Sequence, residues 1–292
     1  MYEAFYGFHE KPFTLLPDPE FLFLSKKHRM ALTMLEYGVV NQAGFSVITG
    51  EVGAGKTTLI RKLLHNLDHD ITIGLVSNSQ CETFEELLQW ILFAYELEYT
   101  GKSKVELYQE FTTFLIQVYG KNRRAVLIID EAQHLSANIL EQLRMLSNVN
   151  ADKHQVLQLI LVGQPELRSI LKRPELQQFA QRIAIDYHLL PLDLEETHKY
   201  ICHRLTVAGG DAEIINDEGR ELVWRYSRGV PRLINVLCDT ALVYGFAEQE
   251  SKISVKLLED VIRDKQMSLS PIMQVSSEGK QNLNTIDRLF GR

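Results

Sequence analysis

From Phe45 onward the chain alternates between two hydrophobic periods. Four short apolar runs, FSVIT (45–49), ITIGLVS (71–77), AVLIID (125–130) and VLQLILVG (156–163), read as strands, and a last strand is expected near 183–188. The AVLIID run in particular has the unbroken apolar character of a strand buried on both faces. Between the runs, apolar residues recur at helical spacing: from the glycine turn to Leu67, over about 84–97, over 104–119 and over 137–147. Ahead of the first strand, Lys27 to about Asn41 places Met30, Leu32, Leu35 and Val39 on one broad helical face. Strands that alternate with helices imply a largely parallel sheet sandwiched by helices, an α/β fold.

After Pro191 the strand pattern stops. Stretches over 192–209, 217–227, 230–247 and 254–266 read as helices, with Asp193 and Ser254 as N-caps and Gly209 and Gly229 as stops. The first residues differ from both regions. Prolines 12, 17 and 19 bar a regular helix, while Phe5, Tyr6, Phe8, Phe13, Phe21 and Phe23 need a surface to pack on. The expected division is a strap (1–26) laid across the next domain, an α/β core (27–190), a small all-α lid (191–266) and a polar tail (267–292). The tail ends in an amphipathic stretch, Ile286, Leu289 and Phe290, expected to be a docking peptide. Trp90 and Trp224 fall on helical faces and are expected in the core. His28 and the strap aromatics are placed either against an adenine or in packing.

Chemistry enters with Gly50-Glu51-Val52-Gly53-Ala54-Gly55-Lys56-Thr57, which matches G-x-x-x-x-G-K-[ST] between an expected strand and an expected helix. The glycines let backbone N–H groups curl around a polyphosphate, and the helix that follows presents its positive end to the anion. Lys56 is placed to reach the β- and γ-phosphates, the Thr57 hydroxyl to complete an Mg²⁺ shell, and Thr58 to continue the cradle. Downstream, Asp130 and Glu131 end the most apolar strand, the edge at which open α/β sheets bind ligands. Asp130 is placed to hold Mg²⁺ through water and Glu131 to deprotonate the attacking water. The expectation is a P-loop NTPase that binds ATP with Mg²⁺ and hydrolyses it.

Charge and composition narrow the setting. The 292 residues carry a net charge of -7, with 45% hydrophobic residues and a mean hydropathy of -0.11. Wholesale nucleic-acid binding is therefore not expected. Cys81, Cys202 and Cys238 form no C-x-x-C pair, and no apolar segment approaches a membrane span of about 20 residues. The expected setting is the cytoplasm, with any membrane role mediated by a partner.

The P-loop, the apolar-DEAQ segment, the helical second domain and Gly229-Val230-Pro231-Arg232 together resemble AAA+ ATPases. The opening, YEAFYGFHEKPF followed by PDPEFLFLSKKHRMAL, is similar to the secretion ATPases of the general secretion pathway A (ExeA-like) type. Within that type it looks most like the branch found beside exopolysaccharide and PEP-CTERM/exosortase loci. The resemblance covers about residues 1–266. It implies that Gln164, ending the fourth strand, contacts the γ-phosphate and the lytic water. It implies that Arg232 is a sensor that closes the lid on nucleotide. It also implies that an arginine before the last strand acts in trans on a neighbouring subunit; Arg182 is the candidate and Arg173 its competitor. The active form would then be a homo-oligomer, a ring or dimer, working with an inner-membrane export component. Relatives of this type often add a transmembrane segment and a peptidoglycan-binding domain. This sequence shows neither, so peripheral recruitment to the inner membrane is expected. Transposition-helper ATPases share the core, which makes a DNA-linked regulator the alternative, and a nucleotide-gated scaffold with little turnover a third.

Overall fold

The computed structural model describes residues 1–267 apart from 17, 19, 68–69, 78 and 152–153. The described residues form two compact units: one within 17–191, and one of residues 1–16 together with 192–267.

The first unit is built on a five-stranded sheet in the order β2-β3-β6-β1-β7. Its strands are β1 (Phe45–Gly50), β2 (Ile71–Val76), β3 (Arg124–Ile129), β6 (Leu157–Gly163) and β7 (Ile183–Leu189), and every neighbouring pair is parallel. A two-stranded hairpin, β4 (Asn150–Ala151) and β5 (His154–Gln155), precedes β6. Every residue of β1 and β6 is buried, as both faces of a central parallel strand are covered.

Alternate residues of these strands feed two separate cores. Ile48, Val126, Ile128, Ile160 and Val162 pack with Leu32, Leu35 and Val39 of the helix Lys26–Val40 and with Leu59, Ile60 and Leu63 of the helix Lys56–Asn66. Val47, Leu127, Ile129, Leu159 and Leu161 pack the other way, against the helices Phe84–Ala94, Lys104–Gly120 and Ala137–Leu146. A slip of one residue in any central strand would exchange the two cores, so the register is strongly specified.

Two expectations change here. The helix from Phe84 stops at Ala94 rather than Leu97, because the chain turns at Glu96 with φ +58°. Trp90, expected in the core, is 45% exposed; the buried stripe of its helix runs through Phe84, Leu87, Leu88, Ile91 and Leu92, and Trp90 falls outside it. Trp224 is half-buried. The helix Pro165–Leu171 was not anticipated from the apolar pattern.

The second unit is helical: Leu194–Val207, Asp217–Ser227, Pro231–Ala247 and Val255–Met267. Asp193 opens the first with a capping box to Glu196, and Ser254 accepts the Leu257 N–H at 3.3 Å. Gly229 has φ +73°, and an added Cβ would sit 1.8 Å from the Leu192 carbonyl oxygen, so no other residue fits that turn. The strap, expected across the following domain, lies on these helices through residue 16. Buried Arg204 donates to the Thr14 carbonyl at 3.1 Å and to that of Pro12, while Asn235 donates to the Thr14 carbonyl at 3.2 Å. Tyr6 donates to the Glu250 carbonyl at 3.0 Å, and Phe5 meets Phe246 edge-on. Among the described residues no helix is long and apolar enough to cross a membrane.

Candidate nucleotide site

The chain leaves β1 at Gly50 and re-enters helix at Lys56, with Gly53 at φ +80° and Gly55 at φ +96°. Those left-handed conformations are why glycines stand at these two places. A Cβ on Gly55 would also approach the His28 ring to 3.0 Å. His28 is buried; its Nε2 is 3.0 Å from the Ala54 carbonyl oxygen and its Nδ1 2.9 Å from the Ser25 hydroxyl. A carbonyl only accepts, so Nε2 carries the proton and donates to the loop. Of the two places expected for His28, against an adenine or in packing, the buried ring takes the second, bonded to the loop at Ala54.

Lys56 is buried, with Nζ donating to the Gly50 carbonyl at 2.8 Å and to that of Glu51 at 3.0 Å. Burial lowers its pKa below the usual lysine value, against the opposing pull of Glu131 and Asp130. Thr57, one residue on, donates from Oγ1 to Asp130 Oδ2 at 3.0 Å. Thr58 follows, half-buried. The P-loop and the end of β3 are thus joined across 73 residues of sequence.

Asp130 is buried and its other oxygen accepts the Glu131 N–H at 2.9 Å. Burial raises its pKa, and the bonds from the Glu131 backbone and Thr57 offset only part of that. Glu131 has left-handed backbone, φ +54°, a conformation costing about 1–3 kcal/mol for a residue with a side chain. Ser79 Oγ secures it by donating to the Glu131 carbonyl at 2.7 Å. Two amides then fix the carboxylate: Gln133 Nε2 donates to Oε2 at 2.6 Å and Gln164 Nε2 to the same oxygen at 3.1 Å. Burial pushes Glu131 upward, yet the two amides and the Lys56 charge together outweigh it and hold the carboxyl below its usual range. Gln133 Oε1, the oxygen of the same side-chain amide, accepts the Gln164 backbone N–H at 3.0 Å, which locks the amide's orientation.

The sequence assignments thus meet at one sheet edge: residues 50–58, Asp130, Glu131 and Gln164. Gln133 and Ser79 had no assigned role. Gln133 was visible in the DEAQ tetrapeptide, but its partner lies 31 residues away; Ser79 carried no signal at all. Thr57 and Asp130 present two hard oxygens within one coordination sphere of each other, a donor pair that suits Mg²⁺.

Arg182 lies elsewhere. Ile183 pairs with Phe45 and Leu189 with Gly50, so Arg182 sits at the far end of β1, roughly 20 Å from the P-loop at about 3.3 Å per residue. Its Nη1 is 3.3 Å from the Ser147 hydroxyl and 3.5 Å from the Arg144 carbonyl, at the end of the Ala137–Leu146 helix. Arg173 is exposed, 4.0 Å from Glu175. Arg232 is exposed at the second position of the Pro231–Ala247 helix in the helical unit.

Residues 40–171 match the family model of the AAA domain. Over 254 residues the chain is 41% identical to general secretion pathway protein A of Aeromonas hydrophila, a match that covers 87% of this chain and 46% of that protein. The chain therefore spans less than half the length of that relative. Solved structures with a similar fold include the ORC2 protein of Aeropyrum pernix, with a TM-score of 0.66 at 17% identity over 88% of this chain and 72% of that one. Cdc6p of Pyrobaculum aerophilum gives 0.67 at 16%, over 85% and 71%. Drosophila ORC bound to DNA gives 0.62 at 14%, over 88% and 65%. At these identities the likeness is one of fold. The secretion-type resemblance read from the opening residues and the P-loop agrees with the match to the Aeromonas protein.

Proposed function

We propose that this chain, an AAA-domain relative of general secretion pathway protein A, hydrolyses MgATP and uses the cycle to drive or switch a secretion or envelope-polymer export assembly. The observation that carries the hydrolytic reading is the Glu131 carboxylate, held by Gln133 and Gln164 beside the Thr57–Asp130 pair. Those bonds keep the carboxyl ionised at the phosphate-binding edge, the state that a general base needs.

The P-loop backbone and Lys56 bind the β- and γ-phosphates, with Lys56 exchanging its carbonyl partners for phosphate oxygens. Thr57 and Asp130 would hold Mg²⁺, which when bound offsets the charge on those phosphates. Both amides bond Glu131 Oε2, so Oε1 is the oxygen we assign to the water. Oε1 takes a proton from that water as it attacks phosphorus in line with the leaving oxygen. Gln164 serves in this scheme through Glu131 as well as toward the γ-phosphate. Arg232 is proposed as the cation of the lid.

Arg182 is proposed to act in trans, as its distance from its own P-loop requires of any role in hydrolysis. The active form is then an oligomer. Steady-state ATPase activity across protein concentration, for wild type, Glu131→Gln and Arg182→Ala, tests both parts. Specific activity that rises with concentration and is lost in both variants supports an oligomeric hydrolase. Loss in Glu131→Gln alone keeps the hydrolase and removes the trans role. The cytoplasmic, peripherally recruited setting and the inner-membrane partner are proposals that rest on the resemblance of the opening residues to secretion ATPases, in line with the match to a general secretion pathway protein. Drosophila ORC, at 14% identity, was solved bound to DNA; salt-dependent binding of duplex DNA by this chain would favour the DNA-linked reading instead.

A further inference from the structure

The helix Phe84–Ala94 keeps a second face outside its buried stripe. Trp90 and Phe93 stand there 45% and 57% exposed, their ring centroids 6.0 Å apart in an edge-to-face pair. Tyr99 extends the row, 6.1 Å from Phe93 at 87°. The fold does not need these rings outside, since a solvent-facing helix position is ordinarily taken by Lys, Glu or Gln. Exposed Trp beside another aromatic is the composition of a binding anchor.

The stretch of chain that carries the row has charge of one sign. Residues 70–101 contain six carboxylates and no Lys, Arg or His. Glu82, Glu86 and Glu96 are exposed on the same helix or its flanks. The next cations along the chain are already partnered: Lys102 with Glu110 at 2.9 Å, and Lys104 with Gln142 at 2.8 Å and, at the buried start of the same helix, over the Phe84 ring at 5.4 Å. A nucleic-acid backbone or an anionic lipid surface would meet like charge here.

We propose that this face is a docking site for a basic amphipathic segment of a partner protein. The segment's apolar side chains cover Trp90 and Phe93, and its Lys or Arg residues face Glu82, Glu86 and Glu96. Aromatic anchors supply the affinity, and the acidic rim sets the sign of the partner. The inference does not depend on hydrolysis, because it rests on a helix face and not on the nucleotide edge.

The test is fluorescence anisotropy of a labelled 16-residue peptide, with lysine and leucine at helical spacing, titrated with the full chain. An otherwise identical glutamate–leucine peptide is the control. Saturable binding of the lysine peptide alone is expected, weakened about tenfold or more in the double variant Trp90→Ala, Phe93→Ala. Both side chains are exposed, so the fold is kept, and circular dichroism verifies it. The double variant Glu82→Gln, Glu96→Gln is expected to flatten the salt dependence while retaining part of the affinity. Equal binding of the two peptides, or unchanged binding in the aromatic variant, overturns the proposal. So does self-association of the wild-type chain that is lost on removing Trp90 and Phe93, which would make a second copy the occupant.

Discussion

One sheet has two edges, built from the same strands and used differently. At the carboxyl edge, Lys56, Thr57, Asp130, Glu131, Gln133 and Gln164 bond chiefly to one another or to the P-loop. At the amino edge, polar side chains serve the ends of helices. Gln158 donates to the Gly38 and Val39 carbonyls at 3.2 and 3.3 Å, and Arg124 to those of Val39 and Val40 at 3.3 Å each. Arg182 reaches the Arg144 carbonyl at 3.5 Å. The difference follows from helix polarity. Parallel strands with intervening helices bring helix N-termini, rich in spare N–H groups, toward the carboxyl edge, and helix C-termini, rich in spare carbonyls, toward the other. Anions belong at the first edge, while cations and amides are drawn to the second as structural caps.

If that contrast is right, substitutions at the two edges should separate turnover from stability. Lys56→Ala has the largest expected effect: loss of nucleotide affinity of roughly 100-fold or more, read by titration with a fluorescent ATP analogue. Gln133→Ala should lower kcat about 10- to 100-fold with KM nearly constant, because it frees the Glu131 carboxylate without touching the phosphate cradle. Gln158→Leu should do the reverse. It removes one buried donor from the Gly38 and Val39 carbonyls, which keep the Ala43 and Gln42 N–H groups, so chemical denaturation should show a loss of about 0.5–1.5 kcal/mol with kcat unchanged. Ser79→Ala is expected to have the smallest effect, about fivefold in kcat, through the loss of one hydrogen bond to the strained Glu131 backbone. A fall in kcat for Gln158→Leu as large as that for Gln133→Ala would break the contrast.

The two edges were unequally legible in the sequence. The P-loop and the Asp130–Glu131 pair are local patterns, and the apolar runs at 45–49, 71–77, 125–130 and 156–163 correspond to β1, β2, β3 and β6. What stayed hidden is what distant residues do to each other. The Gln133–Gln164 lock spans 31 residues. The Glu131 left-handed backbone depends on a Ser79 hydrogen bond across 52 residues. The strap's place was hidden for the same reason, since Arg204 meets Pro12 across 192 residues. Trp90 misled because periodicity locates a stripe but does not say that every large apolar side chain joins it. The amphipathic end at Ile286, Leu289 and Phe290 lies outside the described residues.

The central claim is that Glu131, fixed at the carboxyl edge, is the base that turns bound ATP over. Single-turnover hydrolysis of radiolabelled ATP by wild type and Glu131→Gln, at nucleotide-saturating protein and with affinity measured alongside, tests it directly. We expect the variant to bind ATP within about threefold of wild type and to hydrolyse it at least about 100-fold more slowly. Hydrolysis by Glu131→Gln at the wild-type rate, with ATP bound equally well, would contradict the account.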